Sequence, residues 1–196
     1  MIVYLLPVFA YLLGSVSSAI VIARLFGLKD PRKIGSGNPG ATNILRYGGK
    51  KAAILTLLGD ILKGALPVLM AHALGADSVI LALTMFAAFI GHVFPVFHGF
   101  KGGKGVATAF GALAAMNGWV GLALVVSWLV MAVTTHYSSL SAITVSVLAP
   151  VYVWWFVREP ALTVATGLMA LLLLWRHRSN IQNLLAGSET KIGPLL

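Results

Sequence analysis

Long apolar runs separated by short polar stretches dominate the pattern of the chain. A helix needs roughly 20 apolar residues to cross the hydrocarbon core of a bilayer. Six runs approach or exceed that length and predict membrane-spanning helices over 3–25, 52–74, 78–97, 119–136, 139–157 and 160–175. A seventh run, 105–117, would be only about 20 Å long as a helix with a rise of ~1.5 Å per residue. It therefore either crosses where the protein is thin or dips into the membrane and returns.

The composition agrees with this pattern. Of the 196 residues, 59% are hydrophobic and 10% are charged, and the mean hydropathy is +0.93. A soluble domain carries about 25% charged residues. Because this chain has too few polar side chains to cover a water-facing surface, we predict an all-α, polytopic integral membrane helical bundle. No linker, internal repeat or low-complexity segment divides it, so residues 1–196 are expected to form a single domain.

The start of the chain is typical of a permanent span. Residues 1–6 carry no positive charge, and the apolar run continues to about Phe26, which is unlike a secretory signal. The chain has no cysteine, which excludes disulfides and thiolate chemistry.

Basic side chains orient the predicted bundle. With the N-terminus outside and the short 105–117 segment crossing, Arg158 lies outside, Lys63 lies within a span and every other lysine and arginine lies inside. If the short segment does not cross, the positive charges after residue 175 move to the opposite side. The preference of Lys and Arg for cytoplasmic loops thus favours seven segments with a cytoplasmic C-terminus. The polar stretches on the cytoplasmic face are then 26–51, 98–105, 136–141 and 176–196. We therefore expect the function at the inner leaflet.

Gly35–Asn43, with the sequence GSGNPGATN, is the first glycine loop. Its glycines fit the G-x-G-x-x-G spacing of a dinucleotide-binding turn, but that turn follows a β-strand, and this loop follows a membrane span. Glycines still let backbone N–H groups converge on an anion, and an arginine adds a planar fork suited to phosphate. The candidate phosphate-binding residues are Ser36, Gly37, Asn38, Gly40, Thr42, Asn43 and Arg46. The alternative is a polar turn between helices. The number of hydrogen-bond donors within these few residues argues against it.

His98–Gly105, with the sequence HGFKGGKG, is the second glycine loop. It fails the P-loop pattern because three residues rather than four separate Gly99 from Gly103. It leads into the short apolar run, and a helix N-terminus favours an anion through its N–H groups and its dipole. The candidate residues are Lys101, Gly102, Gly103, Lys104 and Gly105. The alternative is that the lysines contact lipid phosphates.

Two further polar stretches are predicted on the same face. HYSSLSA, residues 136–142, is a small turn between two spans and is most simply structural. RHRSNIQNLLAGSETK, residues 176–191, follows the last span, where positive charge is expected from topology alone. His177 and Asn180 lie three residues apart and so share a helical face.

Other polar residues have simpler interpretations. His72 and Asp77 fit the H-x4-D spacing of another acyltransferase class, but the topology puts them outside, so a loop-end pair is favoured. His92 and His98 have no nearby Asp, Glu or Cys in the sequence to complete a metal site, and we predict no metal. Asp60 and Lys63, three residues apart within a span, are predicted to pair and to support the loops.

Taken together, these stretches resemble one known family. The segments GSGNPGATN with Arg46, GHVFPVFHGFKGGKGVAT, and RHRSNI with Glu189 are similar to the three motif regions of the bacterial acyl-phosphate:glycerol-3-phosphate acyltransferases of the PlsY type. The resemblance runs from YLLGSVSSA, residues 11–19, almost to the C-terminus. It implies an enzyme of the bacterial inner membrane, active on the cytoplasmic face, that transfers a fatty acyl group from acyl phosphate to the sn-1 hydroxyl of glycerol 3-phosphate. The products would be lysophosphatidic acid and phosphate, in the first acylation of phospholipid synthesis.

The resemblance also implies roles for individual residues. Ser36 and Arg46 of the first motif, Lys104 of the second, and His177 and Asn180 of the third are implied in activity. The first loop would contact phosphate and the loop around Lys104 would bind glycerol 3-phosphate. Glu189 would hold the site together, and Ser139 would be a phosphate ligand.

The residues themselves are compatible with this chemistry. Two phosphate-bearing substrates need two anion sites, and two basic glycine loops are present. Phosphate leaves an acyl phosphate readily, so positioning and charge neutralisation suffice without a covalent acyl-enzyme. We expect the departing phosphate to accept the hydroxyl proton, with His177 as the competing general base. No cofactor and no nucleic acid partner is expected; membrane lipid surrounds the protein, and a monomer would suffice, although the sequence does not set the oligomeric state.

Two other functions remain open at this point. A transporter of an anionic phosphorylated metabolite would need polar groups along a through-path, but the predicted spans hold only Asp60 and Lys63. A scaffold that binds anionic lipid would need the basic loops but not their glycines.

Overall fold

The computed structural model describes residues 2–192, and those residues form α-helices joined by turns, with no β-strand among them. The chain divides into two compact units, Met1–Met116 and Asn117–Leu196, called here the first and second unit. The helices of the first unit are α1 Leu6–Gly14, α2 Ser18–Leu25, α3 Ala41–Ala73, α4 Ser78–Val93 and α5 Val106–Met116. The helices of the second unit are α6 Gly118–Thr135, α7 Ser138–Phe156, α8 Pro160–Arg176 and α9 Arg178–Leu185.

The first span is broken, which corrects the prediction of one continuous helix over 3–25. A 3-10 turn at Ile2–Leu5 leads into α1, and α1 and α2 meet at a bend of 42°. The residues at the break include Ser15 and Ser17, and the Ser15 hydroxyl donates to the Tyr11 carbonyl at 2.8 Å. Serine side chains compete in this way for backbone groups, and such competition favours the end of a helix.

Helix α3 begins eleven residues before the predicted span 52–74, because the end of the first glycine loop is itself helical. Gly49 divides α3, with φ +82° and ψ 171°, a backbone conformation that side chains other than glycine's rarely adopt. Thr42, Asn43 and Arg46 therefore lie on a short helical segment rather than in an open loop.

Glycines bring the helices of the first unit close together. A Cβ at Gly14 would meet the Ala88 carbonyl of α4, and one at Gly64 would meet the Thr108 carbonyl of α5. Small residues at such crossings allow backbones to approach within a membrane, where the hydrophobic effect does not hold helices together.

In the second unit, α7 packs between α6 and α8. Helix α9 follows α8 after a bend of 57° and contacts both α7 and α8. The predicted spans 119–136, 139–157 and 160–175 agree with α6, α7 and α8 to within a residue or two.

The helices have the length and composition of membrane spans. Four are long and apolar enough to cross, or six if each bent pair forms one span, and Val106–Met116 is the short apolar helix predicted over 105–117. The all-α membrane bundle is confirmed, whereas the count of seven crossings and the orientation stay predictions.

Candidate active site

Asn43 organises the first glycine loop from within. Its side chain is buried, and its amide donates to the carbonyls of Pro31 at 2.9 Å and Ile34 at 3.1 Å. Its oxygen accepts from the Ser36 N–H at 2.9 Å. Gly35, with φ +62°, lies against this side chain, where a Cβ would overlap the Asn43 oxygen. Asn43 thus shapes the loop through its side chain, and its predicted contact with phosphate stays a prediction.

The turn before this loop is fixed by an ion pair. Arg32 donates to Asp30 through Nε at 3.0 Å and Nη2 at 2.6 Å, in a bidentate arrangement. The hydrogen bond from Arg32 lowers the pKa of the Asp30 carboxyl to about 2, against the opposing effect of partial burial. Arg32, one of the predicted inside charges, thus has its charge matched locally.

The side chains that remain exposed in the first loop are the ones suited to an anion. Ser36 and Gly37 are exposed, and Asn38 is half-buried. Thr42 and Arg46 are exposed and lie four residues apart on the first segment of α3, which places them on one helical face.

The second glycine loop is folded tightly against α4. Gly102 and Gly103 are buried, and the Gly103 N–H donates to the His92 carbonyl at 3.2 Å. Gly105, with φ +91°, packs against the Phe89 ring, which a Cβ would overlap. Lys104 comes two residues before the start of α5, in agreement with its predicted place at a helix N-terminus.

The two glycine loops meet in the first unit. A Cβ built on Gly103 would lie 3.1 Å from the carbonyl oxygen of Pro39, so the backbones of the two loops are in direct contact. Lys104 and the exposed Lys101 of the second loop are thereby brought to the same part of the unit as the amides around Gly37. Glycine at 103 is required sterically, because a side chain would separate the loops.

A network of buried polar side chains lies beside the contact between the two loops. Lys63 Nζ is 2.9 Å from Asp60 Oδ1, so the predicted pair is formed, and it also donates to the Val16 carbonyl at 2.8 Å. His92 Nδ1 lies 3.5 Å from the same Asp60 oxygen and 3.2 Å from the Thr108 hydroxyl. The four side chains are each 7% exposed or less. A set of ionisable groups this deeply buried must be paired to be tolerated.

In the second unit, Glu189 joins two candidate residues. Its Oε1 accepts from the Ser139 hydroxyl at 2.8 Å and from the Asn180 amide at 2.7 Å. His177 is 3% exposed, and its Nδ1 lies 2.8 Å from the Leu173 carbonyl oxygen. Because a carbonyl only accepts, Nδ1 carries a proton there. The Ser139 hydroxyl, by donating to Glu189, anchors the residues after α9, and its predicted contact with phosphate stays a prediction.

The other polar residues considered from the sequence have structural roles. Asp77 caps α4 by accepting from the Ile80 N–H at 2.8 Å, and His72 is exposed in the last turn of α3. Within residues 2–192, no group of three His, Cys, Asp or Glu side chains could hold a metal ion.

Sequence reasoning missed His92 and Thr108. It treated His92 as a histidine without a nearby carboxylate, because Asp60 is 32 positions away in the chain and comes close only through the packing of α3 against α4. The rule applied to Asp60 and Lys63, that a charged group inside a span must pair, also fits a histidine inside an apolar run and could have pointed to it.

Comparisons with known proteins show the family to which the chain belongs. The family profile described as glycerol-3-phosphate acyltransferase matches residues 4–187. A protein named glycerol-3-phosphate acyltransferase from Thioalkalivibrio sulfidiphilus is 58% identical over 184 residues, which are 94% of this chain and 91% of the relative. A protein of the same name from Methylococcus capsulatus is 54% identical over 97% of this chain and 96% of its own length.

Two solved structures share the fold. The crystal structure of PlsY (YgiH), an integral membrane glycerol 3-phosphate acyltransferase, in its glycerol 3-phosphate form has a TM-score of 0.93 and 41% identity, covering 98% of this chain and 96% of that one. The lysophosphatidic acid form of that protein has a TM-score of 0.91 and 40% identity, with the same coverage. Sequence profile, close relatives and fold therefore agree that the chain belongs to the glycerol-3-phosphate acyltransferase family of integral membrane proteins.

Proposed function

We propose that this acyltransferase uses acyl phosphate as its donor and transfers the fatty acyl group to the sn-1 hydroxyl of glycerol 3-phosphate. Acylation of glycerol 3-phosphate to lysophosphatidic acid follows from the family, whose solved members include glycerol 3-phosphate and lysophosphatidic acid forms. The reaction would be the first acylation of phospholipid synthesis.

The observation that carries the proposal is the contact between two basic glycine loops, at Gly103 and Pro39 of the first unit. With acyl phosphate as donor, both substrates bear a phosphate, and each loop has a cation for one of them: Arg46 follows the first loop, and Lys101 and Lys104 lie in the second. A coenzyme A thioester also carries phosphates, but they lie far from its reacting carbonyl, whereas two anion sites in direct contact suit a donor whose phosphate is bonded to that carbonyl.

We assign the loops as follows. The second loop binds glycerol 3-phosphate through its backbone and through Lys101 and Lys104. The first loop, with Ser36 and Arg46, binds the phosphate of the donor. The supporting binding residues are Gly37, Asn38, Gly40, Thr42, Gly102, Gly103 and Gly105.

An apolar groove suits the acyl chain. It has a volume of about 290 Å³, lies along α1, α2 and α3, and reaches Val16 and Lys63. Its walls are made by Leu13, Val21, Ile22, Leu55, Leu62 and Leu66. We propose that the lipid donor enters along this groove from the membrane.

The chemistry requires no covalent intermediate. The sn-1 oxygen attacks the carbonyl carbon, the bond from that carbon to the phosphate oxygen breaks, and the new ester forms. The hydroxyl proton passes to the departing phosphate, which becomes inorganic phosphate. Arg46 and Lys104 stabilise the negative charge that develops on the carbonyl and phosphate oxygens. His177 and Asn180 of the second unit are further proposed active residues, and Asn180 donates to Glu189.

We further propose that the enzyme lies in the bacterial inner membrane with seven segments, its N-terminus outside and its active site on the cytoplasmic face. The distribution of Lys and Arg along the sequence supports this orientation. It acts as one domain and requires no cofactor, and we take the monomer as the working state.

The test compares donors. Purified protein is incubated with glycerol 3-phosphate and either palmitoyl phosphate or palmitoyl-CoA, and lysophosphatidic acid is measured. We expect product only with palmitoyl phosphate. Product only with the thioester would overturn the assignment of the donor.

A further inference from the structure

His92 is placed to control the contact between the two glycine loops. Its backbone carbonyl accepts from the Gly103 N–H at 3.2 Å, so residue and loop are joined through the main chain. Its ring lies on the same glycine: a Cβ at Gly103 would overlap Nε2 and lie 3.1 Å from Cε1. On the other side, that Cβ would lie 3.1 Å from the Pro39 oxygen. Gly103 is therefore enclosed between the imidazole of α4 and the first loop.

The orientation of the His92 ring is fixed by contacts at Nδ1. Nδ1 lies 3.2 Å from the Thr108 hydroxyl of α5 and 3.5 Å from Asp60 Oδ1 of α3. A carboxylate beside one imidazole nitrogen is a common means of holding a ring in one orientation. Asp60 is itself held by Lys63, which also donates to the Val16 carbonyl at the break of the first span.

The network thus joins α3, α4 and α5, and the break of the first span, to one point in the second loop. A buried ionic group of this kind is costly and is not needed for packing, since an apolar cluster of the same volume would be at least as stable. What the network adds is a defined ring position at Gly103.

We propose that His92 is a positioning residue: its ring, oriented by Asp60 and Thr108, sets the separation of the two glycine loops and so the affinity for glycerol 3-phosphate. It is not a catalytic residue, because it acts through Gly103. This inference rests on the proposed binding of glycerol 3-phosphate by the second loop.

A double-mutant cycle tests this coupling. Gly103→Ala introduces a methyl group against the ring, and His92→Asn replaces the ring by a shorter amide that can still reach the partners of Nδ1. We expect each single variant to weaken the binding of glycerol 3-phosphate, measured by calorimetry, on the order of tenfold. In the double variant the smaller side chain makes room for the methyl group, so its affinity should exceed that of Gly103→Ala alone. His72→Asn, at an exposed histidine of α3, is the matched control and should bind as the wild type does.

Additive losses in the double variant, with all variants folded, would overturn the proposal, as would wild-type affinity in His92→Asn. If His92→Asn fails to fold, Thr108→Val removes only the hydroxyl partner of the ring and should raise KM for glycerol 3-phosphate more than it lowers kcat. An unchanged KM in that variant would equally contradict the proposal. The binding measurement uses no acyl donor, so an error in the acyl-phosphate assignment would not affect the test of His92. If the wild-type protein does not bind glycerol 3-phosphate, both the positioning role of His92 and the proposed function are refuted.

Discussion

At the scale of single residues, an asparagine side chain in a glycine loop can bind a ligand directly, or it can hold the loop that binds the ligand. Asn43 does the second, because it is buried and makes three hydrogen bonds to the backbone of residues 31–36. Ser36 and Arg46 nearby are exposed, so their side chains can reach the proposed anion.

The role of Asn43 gives a first prediction. In Asn43→Asp the carboxylate can still accept from Ser36 but cannot donate to Pro31 or Ile34. The Ile34 carbonyl keeps its hydrogen bond from the Gly37 N–H, whereas the Pro31 carbonyl loses the bond from Asn43 at a cost of about 1–3 kcal/mol. We expect kcat/KM to fall on the order of tenfold or more, since each 1.4 kcal/mol is a factor of ten. Asn183→Asp, at an exposed asparagine of α9, is the control. Steady-state kinetics with wild-type values for Asn43→Asp would show that the hydrogen bonds do not hold the loop.

His177 gives a second prediction. Its Nδ1 donates to a backbone carbonyl rather than to a carboxylate, unlike the histidine of a typical catalytic triad. If the departing phosphate takes the proton, His177→Ala lowers kcat by less than the roughly 10²–10⁴-fold expected for loss of a general base. The pH–rate profiles of the variant and of the wild type should then share the same limbs. Disappearance of a limb near about pH 6–7 in the variant would identify His177 as the base.

The sequence could indicate candidate roles for residues in the polar loops, but not for residues inside the spans. Glycine together with lysine or arginine in a polar loop favours an anion site, so the sequence could indicate the candidates around Gly37 and Lys104. The functions of Asn43, Ser139 and His92 depend on which atoms fold against them, and no spacing in the sequence encodes that.

At the scale of secondary-structure elements, breaks in helices place the polar groups. The break at residues 15–17 leaves the Val16 carbonyl to accept from Lys63, and the kink at Gly49 allows the segment bearing Arg46 to depart from the axis of α3. The apolar pattern predicted that these spans exist, but a hydropathy pattern carries no information on local breaks within them.

The kink in α3 gives a third prediction. A side chain at Gly49, with φ +82°, costs on the order of 1–3 kcal/mol, or else the helix straightens and moves Arg46. We expect Gly49→Ala to lower both thermal stability and kcat/KM. Gly167→Ala in α8 is the matched control, since no atom lies within 4 Å of the added Cβ and its φ is ordinary. Gly167→Ala should leave thermal stability unchanged or raise it slightly. Equal thermal stability and equal kcat/KM in the two variants would argue against a functional kink at Gly49.

At the scale of the whole molecule, the membrane class and the family were predictable because both depend on features that extend along most of the chain. The division into two compact units was not, since no linker marks residue 117. Sidedness likewise follows from the distribution of charge and can be tested on the intact protein.

The topology gives a fourth prediction. The chain has no cysteine, so Lys50→Cys, Glu159→Cys and Ser188→Cys each create a single thiol at an exposed position. With seven crossings, a membrane-impermeant maleimide should label Glu159→Cys from outside and the other two from the cytoplasmic side. Labelling of Ser188→Cys from the side opposite to Lys50→Cys would show that 105–117 does not cross.

The central claim is direct transfer from acyl phosphate to glycerol 3-phosphate, and the stoichiometry of the products tests it most directly. Purified enzyme is supplied with palmitoyl phosphate, and phosphate and lysophosphatidic acid are measured in the same reaction, with and without glycerol 3-phosphate. We predict one phosphate for each lysophosphatidic acid, and no enzyme-dependent phosphate release without the acceptor. Phosphate release at the same rate without glycerol 3-phosphate, or lysophosphatidic acid formed without matching phosphate, would contradict it.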